Sequence, residues 1–277
     1  MMKVVVAKSA GYCFGVRDAV DLAYKTAEEH DEVYMLGDIV HNENVVDDLN
    51  KAGAKVVDSL DKVPNDKPIL LRAHGSKTSV WDDAKSRNLN IIDATCPLVH
   101  KIHQDVKDLY EDGRKIIVIG DHGHDEVVAI ADQVPRTIVV SSVEEAKKIN
   151  RIRKAGIVTQ STQAIENVQD IVKILMTKIF DLRFVNTICF PTKRNQEQIK
   201  QLAEENDVMI IIGSFTSANS KRLTMLSKEI NSRTYQVTGV KDIDISWFEN
   251  CKSVGISAGA STPDYLIEEV KNKLISI

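Results

Sequence analysis

Residues 89–100 read LNIIDATCPLVH. Asn90–Asp93 is a short β-branched run, a turn follows, and Cys96 stands where an amphipathic stretch begins. That is a strand feeding a helix, with a cysteine at the junction. Two other stretches repeat the arrangement: VVVAKSAGYCFGV at residues 4–16, around Cys13, and RFVNTICFPTK at residues 183–193, around Cys189. Cys13 and Cys96 are 83 residues apart, and Cys96 and Cys189 are 93 apart, each about a third of the 277 residues. The spacing predicts a three-fold internal repeat whose copies share little sequence.

Outward from these turns, short apolar runs alternate with helical periodicity. Candidate strands are 4–7, 33–36, 69–72, 90–93, 115–120, 137–140, 156–159, 183–186, 208–213 and 253–257. Stretches 16–29, 102–111 and 168–180 carry apolar residues at three- and four-residue spacing. Alternation of this length predicts an α/β protein: three similar small α/β lobes with mostly parallel sheets. The expected lobes are 14–96, 97–189 and 190–277, the last completed by a strand from 1–13. No linker rich in Pro, Gly or Ser separates them.

Other strand-to-helix turns carry polar residues. They are GDIVHNEN with His41, RAHGS with His74, GDHGHDE with His124 and Glu126, VTQST with Ser161 and Thr162, GSFTSANS with Ser217 and Asn219, and SAGAST with Ser261. Ligands of open α/β sheets bind beyond the carboxyl ends of strands. Three lobes facing inward would therefore bring these turns to one central site, each supplying two polar turns and one cysteine turn.

A helix N-terminus favours a thiolate through its exposed N–H groups. Three thiolates brought together repel one another unless a metal neutralises them. One such cysteine reads as a buried core residue; three in matched turns read as ligands. Three thiolates on a four-iron cluster leave one iron open to substrate, although spacing alone leaves zinc open as well. Cys251, in WFENCKS, lacks this setting and reads as structural. The histidines, hydroxyls and amide of the polar turns, with free N–H groups at helix starts, suit a phosphate or diphosphate. His30, His100, His103 and His122 read as ordinary surface or core histidines. Glu126, near a helix start, is expected to have a lowered pKa. A diphosphate nearby would raise it and prepare it as a proton donor.

Hydrophobic residues are 43% and charged residues 27%, ordinary for a folded chain. A net charge of −4 argues against nucleic acid or an anionic membrane as partner. No apolar run is long enough for a membrane span or a signal peptide, so a cytoplasmic protein without disulfides is expected. Lys147, Lys148, Arg151, Arg153 and Lys154 read as a solvated basic face.

Taken together, GYCFGV, VHN, RAHGS, DATCPLVHKIH, GHDE, NTIC, TSANS and SAGAST resemble the LytB-type 4-hydroxy-3-methylbut-2-enyl diphosphate reductases, from about Gly11 to Pro263. The resemblance implies lobes arranged pseudo-three-fold around a central 4Fe–4S cluster. Cys13, Cys96 and Cys189 would be its ligands, with one iron open. His41, His74, His124, Ser217, Asn219 and Ser261 would hold the diphosphate. Glu126 would deliver protons, with His124, Ser161 and Thr162 at the reacting end. The reaction implied is loss of the allylic hydroxyl, giving isopentenyl and dimethylallyl diphosphates as the last step of the non-mevalonate isoprenoid pathway. An acidic electron donor such as flavodoxin or ferredoxin is implied as partner. The chain departs from the pattern at Asp125 and Lys77 (each for a usual Pro), Ala218 (Ser), Ser161 (Thr) and KRNQE at 193–197. The competing classes are an iron–sulfur electron carrier or redox sensor, a zinc hydrolase, and a metal-free binding protein. The first needs the cysteines but no convergent phosphate donors, the second uses three thiolates and holds one zinc without sulfide, and the third leaves the cysteines buried.

Overall fold

A computed structural model describes residues 2–277. Its strands are β1 (Lys3–Val6), β2 (Val33–Leu36), β3 (Ala54–Val57), β4 (Pro68–Leu71), β5 (Asn90–Asp93), β6 (Lys115–Ile119), β7 (Ile138–Val140), β8 (Ile152–Thr159), β9 (Ile179–Phe184), β10 (Val208–Ile212), β11 (Thr234–Val237) and β12 (Ser253–Ala258). Its α-helices are α1 (Phe14–Glu29), α2 (Glu43–Lys51), α3 (Thr78–Ser86), α4 (Pro97–Glu111), α5 (Asp125–Ala131), α6 (Val143–Lys148), α7 (Ile165–Met176), α8 (Phe190–Glu205), α9 (Ala218–Ile230) and α10 (Asp264–Ile275).

The strands form three four-stranded sheets, ordered β3-β2-β4-β5, β7-β6-β8-β9 and β11-β10-β12-β1. Every recorded pairing is parallel. The order is the same each time: second strand, first, third, fourth. In the last sheet β1 takes the fourth place, its Lys3–Val6 registered against Ser253–Ile256 of β12. The chain divides into two compact units. Met1–Arg17, His41–Val45 and Phe190–Ile277 make one, which holds the sheet of β10 and β1. Asp18–Val40 and Val46–Cys189 make the other, which holds the other two sheets.

Each sheet is parallel because helices cover it, and the strand pleat sorts side chains between two cores. In β10, Ile210 and Ile212 join Leu266, Val270 and Leu274 of α10, while Met209 and Ile211 face Ile199 and Leu223 of α8 and α9. In β6, Ile117 and Ile119 meet Val168 and Ile171 of α7, while Ile116 and Val118 meet Ile102 and Val106 of α4 and Val127 of α5. Burying each such side chain contributes about 1.5–3 kcal/mol.

Two strands escape the apolar pattern. In β3 the two middle residues, Lys55 and Val56, are exposed, and β11 reads TYQV; both are four-residue edge strands. The helical period expected to run through Phe180 stops at Met176. Thr177 caps α7, and Ile152 N–H bonds to Lys178 O as β8 and β9 begin to pair. Phe180, 92% exposed, lies on that edge strand and leaves the core to Ile179. Among the described residues no helix is long and apolar enough to cross a membrane.

Candidate active site

All the candidate residues lie just past the carboxyl ends of strands. The first strand of each sheet leads to His41, His124 or Ser217. The third leads to His74, Ser161 or Ser261. The fourth leads to Cys96, Cys189 or Cys13.

The cysteine turns share a backbone device. Cys96 N–H donates to Ala73 O at 3.0 Å, Cys189 N–H to Ser161 O at 3.0 Å, and Cys13 N–H to Ala260 O at 3.2 Å. Each acceptor is a candidate residue of the third-strand turn or the neighbour of one. On the other side, Arg17 N–H bonds to Cys13 O at 2.9 Å and His100 N–H to Cys96 O at 3.1 Å, as the next helix starts. The main chain at each cysteine is thus pinned to the neighbouring turn. Before Cys13, Gly11 sits at φ +94, where a Cβ would lie 2.9 Å from Asp264 Oδ1. All four cysteines are half-buried and in no disulfide among the described residues. Three half-buried cysteines at helix starts, each with its main chain pinned to the neighbouring turn, fit a thiolate-bound cluster. Cys251 differs: its Sγ donates to Ser253 O at 3.1 Å and burial pushes its thiol pKa up.

In the two-sheet unit, Glu126 and Ser161 come together. Glu126 is 2% exposed. Its Oε1 accepts the Ser161 N–H at 2.6 Å and its Oε2 the Ser161 hydroxyl at 2.8 Å. Burial raises the carboxyl pKa to about 7; the two Ser161 bonds oppose the rise and Asp121 adds to it. The lowered pKa expected from the helix start is therefore overturned. The carboxyl lies within the core beside Val127, where loss of hydration outweighs a helix terminus. His124 caps α5, its Nδ1 accepting Glu126 N–H at 3.2 Å, which leaves Nε2 to carry the ring proton. The rings of His74 and His124 meet edge to face at 5.6 Å. Thr162 Oγ1 accepts from Gln160 Nε2 at 3.1 Å, and Gln160 Oε1 accepts Asp121 N–H at 2.9 Å.

In the other unit, Ser261 Oγ donates to His41 O at 3.1 Å, and Ser214 Oγ donates to Glu43 at 2.6 Å, so two hydroxyls fasten the His41 loop. Ser217 caps α9, accepting Ser220 N–H at 3.3 Å. Asn219 Nδ2, in the first turn of α9, is buried with no partner: an orphan donor suited to an anion.

The remaining histidines have other work. His100 bonds to Asp93 at 2.8 Å and His122 to Glu145 at 2.9 Å. Burial lowers the pKa of His103 to about 4, keeping it neutral. The sequence reading missed three contributors. Thr187 Oγ1 accepts Thr159 N–H at 2.7 Å and closes the end of β8. Arg72 pairs with Asp125 across 53 residues, and Ser220 is fully buried behind Asn219. NTIC and RAHGS contain the first two residues, but only their partners in space show what they do.

The description "LytB protein" belongs to the family model that matches residues 4–275. A relative from Geobacter sulfurreducens is 41% identical over 274 residues, covering 99% of this chain and 97% of that one. It carries the name 4-hydroxy-3-methylbut-2-enyl diphosphate reductase. A relative of the same name from Geotalea daltonii is 39% identical, with 100% and 98% covered. Among solved structures, the E-1-hydroxy-2-methyl-but-2-enyl-4-diphosphate reductase from Plasmodium falciparum is similar at a TM-score of 0.94 and 28% identity, with 99% and 87% covered. A second structure, described as (E)-4-hydroxy-3-methyl-but-2-enyl diphosphate reductase, the terminal enzyme of the non-mevalonate pathway, is similar at 0.72 and 37%, with both chains fully covered.

Proposed function

This chain belongs to the LytB protein family, and on that premise we propose that it reduces 4-hydroxy-3-methylbut-2-enyl diphosphate. Two electrons and two protons remove the allylic hydroxyl as water, giving isopentenyl and dimethylallyl diphosphates, the last step of the non-mevalonate pathway. The observation that carries this reading is Glu126, a buried carboxyl with its pKa raised to about 7 and held at both oxygens by Ser161. Such a group keeps a proton near neutrality and can give it up there. The anionic charge of a nearby diphosphate raises its pKa further, so binding the substrate also arms the acid.

We assign Cys13, Cys96 and Cys189 as the three ligands of a 4Fe–4S cluster with one open iron. Such a cluster, when bound, supplies the electrons and a Lewis-acidic iron for the departing hydroxyl. We assign His41, His74, His124, Ser217, Asn219 and Ser261 as the residues that bind the diphosphate. His124 presents an Nε2 proton, and Asn219 a buried Nδ2 with no hydrogen-bond partner among the described residues. Ser161 orients Glu126, and Thr162 stands beside the reacting end. The lobes are 14–96, 97–189 and 190–277 with 1–13. Electrons come from an acidic carrier of the flavodoxin or ferredoxin kind, in the cytoplasm.

The test is anaerobic. Iron, zinc and acid-labile sulfide are measured in wild type and Cys96→Ser, with turnover of the diphosphate. Iron and sulfide near about four per chain, falling in the variant, together with turnover, support the assignment. Zinc without sulfide ends it, and a cluster without saturable diphosphate binding leaves an electron carrier.

A further inference from the structure

Helix α5 has only seven residues, yet it carries His124 at its N-cap and Glu126 in its first turn. So short a helix does not hold its own orientation. Both its ends are tied to the segment that runs from the end of β4 to the first residue of α3. At the start, Asp125 forms an ion pair with Arg72 Nη1, the two side chains 29% and 24% exposed. At the far end, the C-cap Asp132 accepts both the N–H and the hydroxyl of Thr78 at 2.7 Å.

Arg72 is committed to this place. It follows β4 directly, two residues before His74. Its guanidinium lies against Gly37, at φ +73, where a Cβ would sit 2.9 Å from Nη1. Its Nε is buried with no partner, so the pair with Asp125 is the compensation the structure provides for burying that charge. Asp125 is the first residue of α5, a position where Pro is otherwise favoured because its ring fixes the helical φ.

We propose that Arg72 and Asp125 are positioning residues. Their ion pair sets the roll of α5, which keeps the Glu126 carboxyl against Ser161 and away from water and keeps His124 beside His74. Its importance for turnover rests on the reductase reading; its effect on Glu126 does not. Asp121 acts on Glu126 directly and His124 accepts its N–H; one contact further out, His74 meets the His124 ring and Arg72 pairs with Asp125. Ser161 faces it from the turn after β8, while α4, β6 and β7 meet α5 with Ile102, Val106, Ile116, Val118 and Val139, which do not titrate.

The experiment titrates Glu126 in the anaerobic holoenzyme by its infrared carboxyl band, assigned by its loss in Glu126→Gln. Arg72→Met and Asp125→Asn are each expected to lower the Glu126 pKa by about one unit, because each lets water reach the carboxyl. Charge alone predicts opposite shifts: a lone Asp125 anion would raise it and a lone Arg72 cation would lower it. Opposite shifts, or none, overturn the proposal. In turnover, each variant is expected to lose about tenfold in kcat with KM within about twofold, the split expected when an interaction made only in the transition state is lost. Asp125→Glu is expected to restore most of it. Should Arg72→Met fail to fold, Arg72→Lys keeps the charge without the planar fork and is expected to shift the band the same way by less. If wild type lacks turnover while both variants shift the band downward, the reductase reading fails and the positioning stands. If wild type turns over while neither variant moves the band, the positioning fails and the reductase reading stands.

Discussion

Ser161 and Ser261 occupy like positions in two different sheets. Each follows the third strand, β8 or β12, and in each turn a backbone carbonyl receives a cysteine N–H: Ser161 O from Cys189, Ala260 O from Cys13. Their hydroxyls do different things. Ser161 grips the carboxyl of Glu126, whose proton can leave. Ser261 grips the carbonyl of His41, which has no proton to lose. One repeated scaffold position therefore holds a buried titratable carboxyl in one sheet and fixes a loop in another. The chemistry is set by the group that each hydroxyl meets.

The comparison breaks most sharply at Glu126. Glu126→Gln keeps the shape and removes the acid, so turnover is expected to fall by about 100-fold to 10,000-fold with substrate affinity little changed. Steady-state kinetics with a binding titration would check this, and near-normal turnover would remove the proton-donor role. The same substitution should reshape the pH dependence of stability. The folded pKa of about 7 lies above the ordinary 4.5, so the folded state holds a proton that the unfolded chain has released between those values. Glu126 therefore costs nothing below about pH 4.5, and its cost is complete above about pH 7, where it approaches roughly 3 kcal/mol. Glu126→Gln should outlast wild type in denaturant at pH 8, with the advantage vanishing near pH 4.

Smaller effects sharpen the contrast. Ser261→Ala removes one hydrogen bond from the His41 loop, so substrate binding is expected to weaken by roughly two- to tenfold with an unchanged pH profile. A moved pH optimum would mean the two serines are not divided as described. Ser161→Ala removes only the hydroxyl bond and leaves the N–H bond. Because that bond lowers the Glu126 pKa, the alkaline limb of the kcat profile is expected to move upward by about half a unit.

The sequence carried the cysteine turns plainly, because strand, turn and helix each leave a pattern and Cys13, Cys96 and Cys189 stand at the same point in it. It carried the central strands for the same reason: β6 after Lys115 and all of β10 are unbroken buried apolar runs. Edge strands β3 and β11 were illegible, since their polar or exposed residues give no period. The state of Glu126 was illegible for a deeper reason. Its neighbours in sequence predict an anion at a helix start, while Val127 and the Ser161 turn 35 residues away bury it. Arg72 and Asp125 are two charges among 76, and nothing local links them.

Strand β1 has a consequence for how the protein is made. It closes the sheet beside β12, and Cys13 N–H waits for Ala260 O. About 250 residues must leave the ribosome between the two, which at about 5–20 residues per second takes roughly 10–50 s. Throughout that time Lys3–Val6 has no partner strand, an apolar edge open to other nascent chains. The first of the three turn cysteines in sequence is therefore the last to reach its place, because its backbone partner is made only near the end of synthesis.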